Sequence, residues 1–494
     1  MNRKPFALLV LIAALLAGVT AGVPASAGAS ERSDAEQALA DAEAIFGGGG
    51  PVTASSAAAG GREATLVLRD LVQGLDQLGA ADRRAAERIL ARPSDPKDED
   101  YFGNEAAGSP LCDANFCVHW GSGKAAPIAA DGNGNSVPDF VEATLAAGAQ
   151  SFAVENTSLG WPEPVSDGTK GARNGKGNTG QTDIYLTKLP RGLYGYATSD
   201  PGERGRKVPG YLVLDNDYKG FGGVPVNLMQ VTMAHEYNHI LQFAIDTFED
   251  GWMFESTATF MEDYVYPNVN DYINFMPDFV RNPFTPLAED DRQAFKLYGS
   301  AVWNHFIAGR YGPAVVRNAW QISPTVKPKS FAVAAYDKSI RDSGGAGFSP
   351  EFVEFAAATA EWNSTTSFPD PGLYPDMKRS GNVDRKPAQF KLNHTAYRLL
   401  YVEPKNGPTT VKIKTKKGVR SGVALVGRVG PATGGTVEIV SKYLPKGGKG
   451  KVTLPNTSGY SRVTAVVANA DGRVKGDSRF YTKDGIKYKV VLGS

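Results

Sequence analysis

Cysteine is nearly absent from this 494-residue chain, which contains two, and histidine is almost as scarce, with five. Two cysteines alone are too few for a structural zinc site. The 53 lysine and arginine residues balance 52 aspartate and glutamate residues, so no basic excess indicates nucleic acid binding. After the first thirty residues, no run is long and apolar enough to cross a bilayer. We therefore expect a soluble, monomeric protein with no nucleic acid or membrane partner.

The N-terminus has the pattern of an export signal. Arg3 and Lys4 precede an apolar segment, Phe6–Ala17, and small residues that suit a cleavage site follow at Ala25–Ala27. The apolar segment is short for a spanning helix, which disfavours the alternative of a membrane anchor. Residues 1–27 are therefore predicted to be a removed signal peptide, and the mature protein is expected to be secreted and extracellular.

The two cysteines, Cys112 and Cys117, are only five positions apart. In an exported protein, so close a pair predicts a local disulfide across a tight loop. The alternative is two free thiols, which an oxidising compartment disfavours.

The scarce histidines include one pair whose spacing indicates a metal site. His235 and His239 lie four residues apart in a helix-like segment, so their imidazoles share one helix face. With Glu236 they form HExxH, in which two imidazoles hold Zn²⁺ and the glutamate activates a metal-bound water. The alternative is a chance match on a polar helix face. His119, in an apolar strand-like run, is expected to be a packed structural residue.

A catalytic zinc needs a third protein ligand. The metzincin continuation, HExxHxxGxxH, would require glycine at Gln242 and histidine at Ile245, so that pattern is excluded. Two glutamates follow on a second predicted helix. Glu255 is the expected ligand, and Glu262 is the competing one. If Glu255 binds the metal, Glu262 or Asp263 is expected to orient a ligating imidazole.

The HExxH segment and its downstream glutamate resemble the gluzincins, metallopeptidases whose third zinc ligand is a glutamate in an NEGxA-like segment. The run Trp252–Ala258 is similar to that segment, with Ser256 at the usual glycine and a shorter gap from His239. The resemblance implies a zincin-like domain and peptide hydrolysis, with Glu236 as general base.

A second motif, DGNGNSVPDFVE, has the spacing of an EF-hand-like calcium loop. Its oxygen-bearing residues at positions one, three, five, nine and twelve are Asp131, Asn133, Asn135, Asp139 and Glu142. Val137 at position seven can offer its backbone carbonyl, and Ser136 stands where such loops normally have glycine. The loop is predicted to hold a structural Ca²⁺. The alternative is an Asx-rich turn that caps the following helix.

Residues 116–320 as a whole are similar to a group of secreted bacterial metallopeptidases. Members share an Asp/Asn/Gly loop ending in PDxVE, a strand pair, and HExxH followed by glutamine. Here these features are Asp131–Glu142, Asp183–Leu214 and Gln242. Within this region Tyr298, on a predicted helix, is the candidate donor to the oxyanion of the tetrahedral intermediate. The alternative is a tyrosine that only packs between helices.

The composition and apolar patterning of the sequence predict an α+β protein of three parts. In residues 28–98 the sequence predicts helices over Glu31–Phe46 and Arg62–Ala91. This part is expected to be a pro-segment that covers the active site or a mobile arm, and the alternative is a small helical subdomain. Residues 99–370 are expected to form the zincin-like metallopeptidase domain. Residues 385–494 contain short alternating runs separated by turn residues, which predicts an antiparallel β-sandwich of about seven strands.

These patterns together predict a secreted zinc-dependent endopeptidase that acts on protein or peptide substrates. The main alternative is a non-enzymatic, adhesin-like protein that binds surfaces through the sandwich and keeps a vestigial zinc site. A third possibility is zinc-dependent hydrolysis of a non-peptide amide.

Overall fold

The computed structural model covers the predicted helical segment, the central region and the C-terminal strands. The described residues are 25–47, 64–98, 101–173, 175–177, 179–190, 192–290, 295–384 and 386–493. The predicted signal peptide therefore lies outside the described residues, except for its last three positions. Among the described helices, none has the length and apolar character needed to cross a membrane.

The described residues form a mixed α/β structure, consistent with the α+β class. The helices are α1 Ala25–Phe46, α2 Ala64–Gly74, α3 Ala80–Ile89, α4 Asp139–Phe152, α5 Pro225–Phe243, α6 Gly251–Val265, α7 Met276–Arg281, α8 Lys296–Gly299, α9 Ala301–Tyr311, α10 Ala314–Ile322, α11 Ala332–Asp342 and α12 Phe348–Thr359. The strands are β1 Leu111–Cys112, β2 Phe116–Trp120, β3 Thr182–Thr187, β4 Gly195–Thr198, β5 Tyr211–Asp215, β6 Arg379–Val383, β7 Ala388–Leu392, β8 Ala396–Val402, β9 Thr409–Lys417, β10 Ser421–Val429, β11 Thr436–Leu444, β12 Gly447–Leu454, β13 Arg462–Asn469 and β14 Ile486–Leu492.

The first sheet has the strand order β1-β2-β3-β5-β4. Strands β2, β3 and β5 run parallel, whereas β1 and β4 pair antiparallel at the two edges. The three parallel strands are fully buried, as expected of strands covered on both faces. The edge strand β4 lies beside helix α5, so this edge of the sheet borders the HExxH helix.

Alternate side chains of the sheet enter two different cores. Tyr185, Tyr196 and Tyr211 pack with α1, α2 and α3 in one hydrophobic cluster. Ile184 and Leu212, which face the other way, belong to the main cluster that includes α4, α5 and α6. The N-terminal helices therefore form a packed layer on the sheet.

The helical stretch expected over Arg62–Ala91 is divided into α2 and α3. Leu78 and Gly79 both have extended backbones and separate the two helices. Glycine loses more backbone entropy in a helix than any other residue, so the chain turns there at low cost.

Arg92 fixes the end of the N-terminal layer to the central region. Its guanidinium is buried and forms ion pairs with Asp167, Asp183 and Asp200. It also lies 4.8 Å from the centre of the Tyr211 ring. A buried charge requires such partners because it has lost its hydration.

The C-terminal strands form two facing sheets, with orders β11-β10-β13-β8-β6 and β12-β9-β14-β7. Val402, Ile413, Leu425, Val467 and Tyr488 lie in the cluster between them. All seven expected strands are present. The expected runs begin at Ala396, so β6 and β7 were not predicted. The sequence RSGNV of β6 has no apolar alternation, and the sequence AQFKL of β7 alternates over only five residues, of which only Leu392 is fully buried.

The sandwich shares a core with the central region. Tyr397 and Val426, on the outer face of the first sandwich sheet, belong to the same cluster as Phe352 and Phe355 of α12. Just beyond α12, the buried Glu361 pairs with three arginines of the sandwich. These are Arg379, Arg428 and Arg462, at 3.1, 2.8 and 2.6 Å.

Candidate metal centre

Helix α5 presents the histidine pair to helix α6. The helix has Pro225 in its first turn, where the missing N–H of proline is tolerated, and every residue from Val231 to Phe243 is buried. His235 and His239 lie one turn apart, with their rings edge to face and the ring centroids 4.8 Å from each other. Helix α6 packs against this face and brings Glu255 to both rings.

One ligand atom from each of His235, His239 and Glu255 lies within 4.8 Å of the other two, so the three side chains could hold a metal ion. Nε2 of His235 lies 3.2 Å from one carboxylate oxygen of Glu255, and Nε2 of His239 lies 3.7 Å from the other. Ligand atoms about 2.0–2.1 Å from a tetrahedral zinc are about 3.3 Å apart. Nε2 of His239 and Oε1 of Glu255 are buried and have no hydrogen-bond partner among the described residues. The residues present therefore fit a bound zinc ion.

Each imidazole is oriented from its opposite nitrogen. Nδ1 of His235 lies 2.7 Å from Oε1 of Glu262, and Nδ1 of His239 lies 2.7 Å from Oε1 of Gln242. Both Nε2 atoms are thereby directed toward Glu255, as in many zinc sites whose ligands are held by a second hydrogen bond. Glu262 thus occupies the orienting position that we expected of Glu262 or Asp263. Asp263 instead lies 3.6 Å from Nε2 of His305.

A buried chain of hydrogen bonds extends from His239 into the core. The amide nitrogen of Gln242 donates to Oδ1 of Asn238 at 2.6 Å and to the carbonyl of Phe254 at 3.1 Å. Asn238 then donates to Oε2 of Glu155 at 2.7 Å. Glu155 lies in a π-helical turn, Ala153–Ser158, that continues α4. Burial raises the pKa of Glu155 well above its ordinary value.

The electrostatics of the site favour a cation. Burial lowers the pKa of His235, but hydrogen bonds to Glu255 and Glu262 outweigh it and raise the pKa to about 10. Burial also raises the pKa of Glu255, yet the charges of His239 and His235 and their hydrogen bonds to the carboxylate together outweigh it and hold the pKa at about 2. Burial raises the pKa of Glu236, with the two histidines opposing. The same carboxylates that would hold a proton here would stabilise a divalent ion.

A small cavity adjoins the histidine pair. Its lining includes His235, Glu236, Glu262 and Tyr298, together with Tyr194 and Gly195 at the start of the edge strand. The Tyr298 ring stacks on the His235 ring with centroids 5.9 Å apart. The cavity offers about 20 Å³, enough for about one water molecule. Tyr298 thus lies beside the metal centre, where a donor to a substrate oxygen would have to be.

Glu236 contacts a residue from the N-terminal layer. The hydroxyl of Thr65, in the first turn of α2, donates to Oε2 of Glu236 at 2.9 Å. The same hydroxyl accepts the backbone N–H of Ala197, on the edge strand β4, at 2.9 Å. Thr65, 171 positions before Glu236 in the sequence, is therefore in direct contact with this candidate base.

The EF-hand-like segment folds into a tight loop before α4. The carboxylate of Asp131 accepts the backbone N–H groups of residues 134–136 at 2.8–3.2 Å. Ser136 has a positive φ of 70°, a left-handed conformation that favours glycine. The position where calcium loops normally carry glycine therefore has the glycine conformation, although its residue is serine.

The two asparagines of the loop converge on Glu142. Its carboxylate lies 3.1–3.2 Å from the amide nitrogen of Asn133 and 2.7 Å from that of Asn135. The N–H of Val137 donates to Oδ1 of Asn135 at 2.8 Å, and the carboxylate of Asp139 accepts the N–H of Gly132. The structure thus brings the amide and carboxylate groups at positions three, five and twelve together.

Two expected features lie away from the metal centre. Cys112 and Cys117 face each other in the β1–β2 hairpin and form a disulfide. His119 is buried, with Nδ1 2.9 Å from Glu105 and Nε2 3.0 Å from Asp183. His119 is therefore a packed structural residue, as its apolar neighbours in the sequence indicated.

Sequence reasoning missed the roles of three residues at the centre. Gln242 lies three positions after His239 on one helix face, so helical spacing could have identified it as the orienting group. Glu155 and Thr65 are 84 and 170 positions from His239 and His235 in the sequence. No local pattern brings such distant residues to the centre; only the packing of α4 and α2 does.

No known protein-family model matches this chain, and no curated protein matches it at a significant level.

Proposed function

We propose that the protein is a secreted zinc-dependent endopeptidase of the gluzincin type, with a zincin-like central domain. One observation carries this proposal. Two imidazole Nε2 atoms face the carboxylate of Glu255 at 3.2 and 3.7 Å, while their Nδ1 atoms are held from behind. Three protein ligands with one open position are the ligand set of catalytic zinc, whereas structural sites are closed by four.

His235, His239 and Glu255 would hold the ion. Bound there, zinc would supply a Lewis acid and lower the pKa of a coordinated water to about 7. The carboxylate of Glu236 accepts a proton from the attacking water as its oxygen bonds to the peptide carbonyl carbon. Glu236 then gives this proton to the leaving nitrogen as the C–N bond breaks. The burial that raises the pKa of Glu236 suits a group that must both accept and release a proton.

Tyr298 is placed to assist the same reaction. Its ring stacks on His235 and lines the cavity next to Glu236. A hydroxyl there can donate a hydrogen bond to the carbonyl oxygen as negative charge develops on it.

The experiment combines metal content with hydrolysis, using mature protein isolated from culture medium. Wild-type protein and Glu236→Gln should each bind one zinc, and only the wild type should hydrolyse a mixed peptide library. His239→Ala should lose both properties, and Glu403→Gln, an exposed glutamate, should keep both. One zinc with no hydrolysis of any peptide would favour the alternative of a binding protein. No zinc in the wild type would refute the proposal.

We also infer that the loop from Asp131 to Glu142 binds a structural Ca²⁺. The supporting observations are the left-handed Ser136 at position six and the convergence of Asn133 and Asn135 on Glu142. A bound Ca²⁺ would be coordinated by side-chain oxygens of Asp131, Asn133, Asn135 and Glu142, in place of the contacts that the two amide nitrogens make with Glu142. It would fix the loop to the start of α4.

Export is likewise a proposal, supported by the leader pattern and by the disulfide between Cys112 and Cys117. Mass spectrometry of the protein in culture medium tests it. A mature N-terminus just after Ala27 is the expected result, and retention of residues 1–27 would contradict it.

A further inference from the structure

Thr65 occupies the place that a substrate complex must use. The residue is 1% exposed, and its hydroxyl bridges Oε2 of Glu236 and the N–H of Ala197. A general base must lie within hydrogen-bond reach of the water that it activates. An extended peptide that adds to a sheet edge must use the N–H groups of that edge. The hydroxyl of Thr65 therefore occupies both the carboxylate that would activate the water and the N–H that would bind an extended peptide.

The blocking residue belongs to a firmly docked helix. Leu66, beside Thr65, lies in the same hydrophobic cluster as the residues of α5 and α6. One turn on, the guanidinium of Arg69 donates to the carbonyl of Glu249 and lies 4.7 Å from the Phe254 ring centre. Helix α2 is thus held against both helices that form the metal centre.

The centre is closed as a consequence. His235 and Glu236 are 6% and 4% exposed, and His239 and Glu255 are fully buried. The adjoining cavity holds only about 20 Å³, which a peptide cannot enter. With α2 in place the proposed site is closed to a polypeptide, so hydrolysis by the wild type would be limited to molecules in which α2 has moved away.

We propose that helix α2 is an internal inhibitor, with Thr65 as the residue that closes the site, and that activity requires α2 to leave the cleft. The inference rests on the proposed function, because it names the regulation of that same site. Displacement of α2 frees Oε2 of Glu236 and the edge N–H of Ala197 at once.

The test uses full-length chains reconstituted with zinc. Thr65→Ala removes both hydrogen bonds, whereas Thr65→Ser keeps a hydroxyl, and Thr144→Ala removes a buried helical threonine hydroxyl in α4. The first measurement is the rate at which 1,10-phenanthroline removes zinc. The second is amide hydrogen exchange in α2 and at Ala197. The third is hydrolysis of a peptide library.

We expect Thr65→Ala to lose zinc to the chelator about tenfold faster, to exchange faster in α2, and to hydrolyse peptides faster. Thr65→Ser and Thr144→Ala should match the wild type. Slower hydrolysis by Thr65→Ala with unchanged chelation would overturn the inference, because Thr65 would then be a positioning residue for Glu236. Equal behaviour of Thr65→Ala and wild type would also overturn it.

The outcomes separate the two proposals. Suppose that Thr65→Ala loses zinc to the chelator faster and exchanges amide hydrogens faster, but no variant hydrolyses any peptide. The inhibitory contact then stands and the peptidase function fails. If hydrolysis is present in the wild type and unaffected by Thr65→Ala, the function stands and the inhibitory contact fails.

Discussion

The side-chain carbonyl of Gln242 accepts the Nδ1–H of His239 at 2.7 Å, from three residues further along the same helix. The amide nitrogen of Gln242 is fixed by Asn238 and by the carbonyl of Phe254, so the orientation of its carbonyl is determined. This bond sets the tautomer of His239 and leaves Nε2 for a metal.

Gln242→Leu should weaken zinc binding by about 10- to 100-fold, the usual cost of losing an outer hydrogen bond to a ligating histidine. Competition with a chromophoric chelator measures the affinity. Gln150→Leu, at an exposed position of α4, is the matched control. An unchanged affinity in Gln242→Leu would show that helix packing alone orients the imidazole.

The two glutamates of α6 should differ in their effect on zinc. Glu255→Gln removes a ligand and should lower the affinity by more than 100-fold. Glu262→Gln retains a hydrogen-bond acceptor at His235 and should lower it by about 10- to 100-fold at most. Isothermal titration of metal-free protein with zinc distinguishes them, and a larger loss in Glu262→Gln would exchange their roles.

Calcium should stabilise the folded protein through the loop before α4. Binding at 100 times the Kd contributes about 2.7 kcal/mol, so the melting temperature should rise measurably with added Ca²⁺. Asp131→Ala should abolish this rise, and Asp477→Ala, at an exposed position, should not. A rise that survives Asp131→Ala would place the ion elsewhere.

The buried pair formed by His119 should make stability fall at alkaline pH. Burial opposes protonation, but hydrogen bonds to Asp183 and Glu105 raise the pKa of His119 above its ordinary value. The stabilisation is fully present below about pH 6.5, the pKa of an unfolded histidine, and is lost as pH rises through the folded pKa. Urea unfolding of the wild type and His119→Gln at pH 6 and pH 9 checks this. The stability difference between them should be smaller at pH 9.

The parts of the site that the sequence predicted are those with short-range periodicity. The four-residue spacing of His235 and His239 and the small residues after Glu255 follow from helix geometry, and the sandwich strands follow from two-residue alternation. The Asp131 loop is likewise a single local segment. In each case the residue spacing within a segment of about twenty residues determines the local geometry.

The remaining parts depend on long-range packing. Thr65 reaches Glu236 only because α2 covers the edge of β4, and Glu155 reaches Asn238 only because α4 ends in a π-helical turn. Strand β6 has a mostly polar sequence and pairs parallel to β8, so no hairpin signal precedes it. Such contacts join segments that are far apart in the sequence, and no local sequence pattern predicts that they meet.

The buried Glu361, with its three arginines, has a consequence for the unfolding of the whole molecule. Separation of the strands from α12 would break these ion pairs and expose the apolar side chains that the two regions share, so the two regions should melt together. Differential scanning calorimetry should record one peak, and Glu361→Gln should shift it downward. Two well-separated peaks would contradict this coupling. A single peak would mean that the strands act as a clamp that the central region needs in order to remain folded.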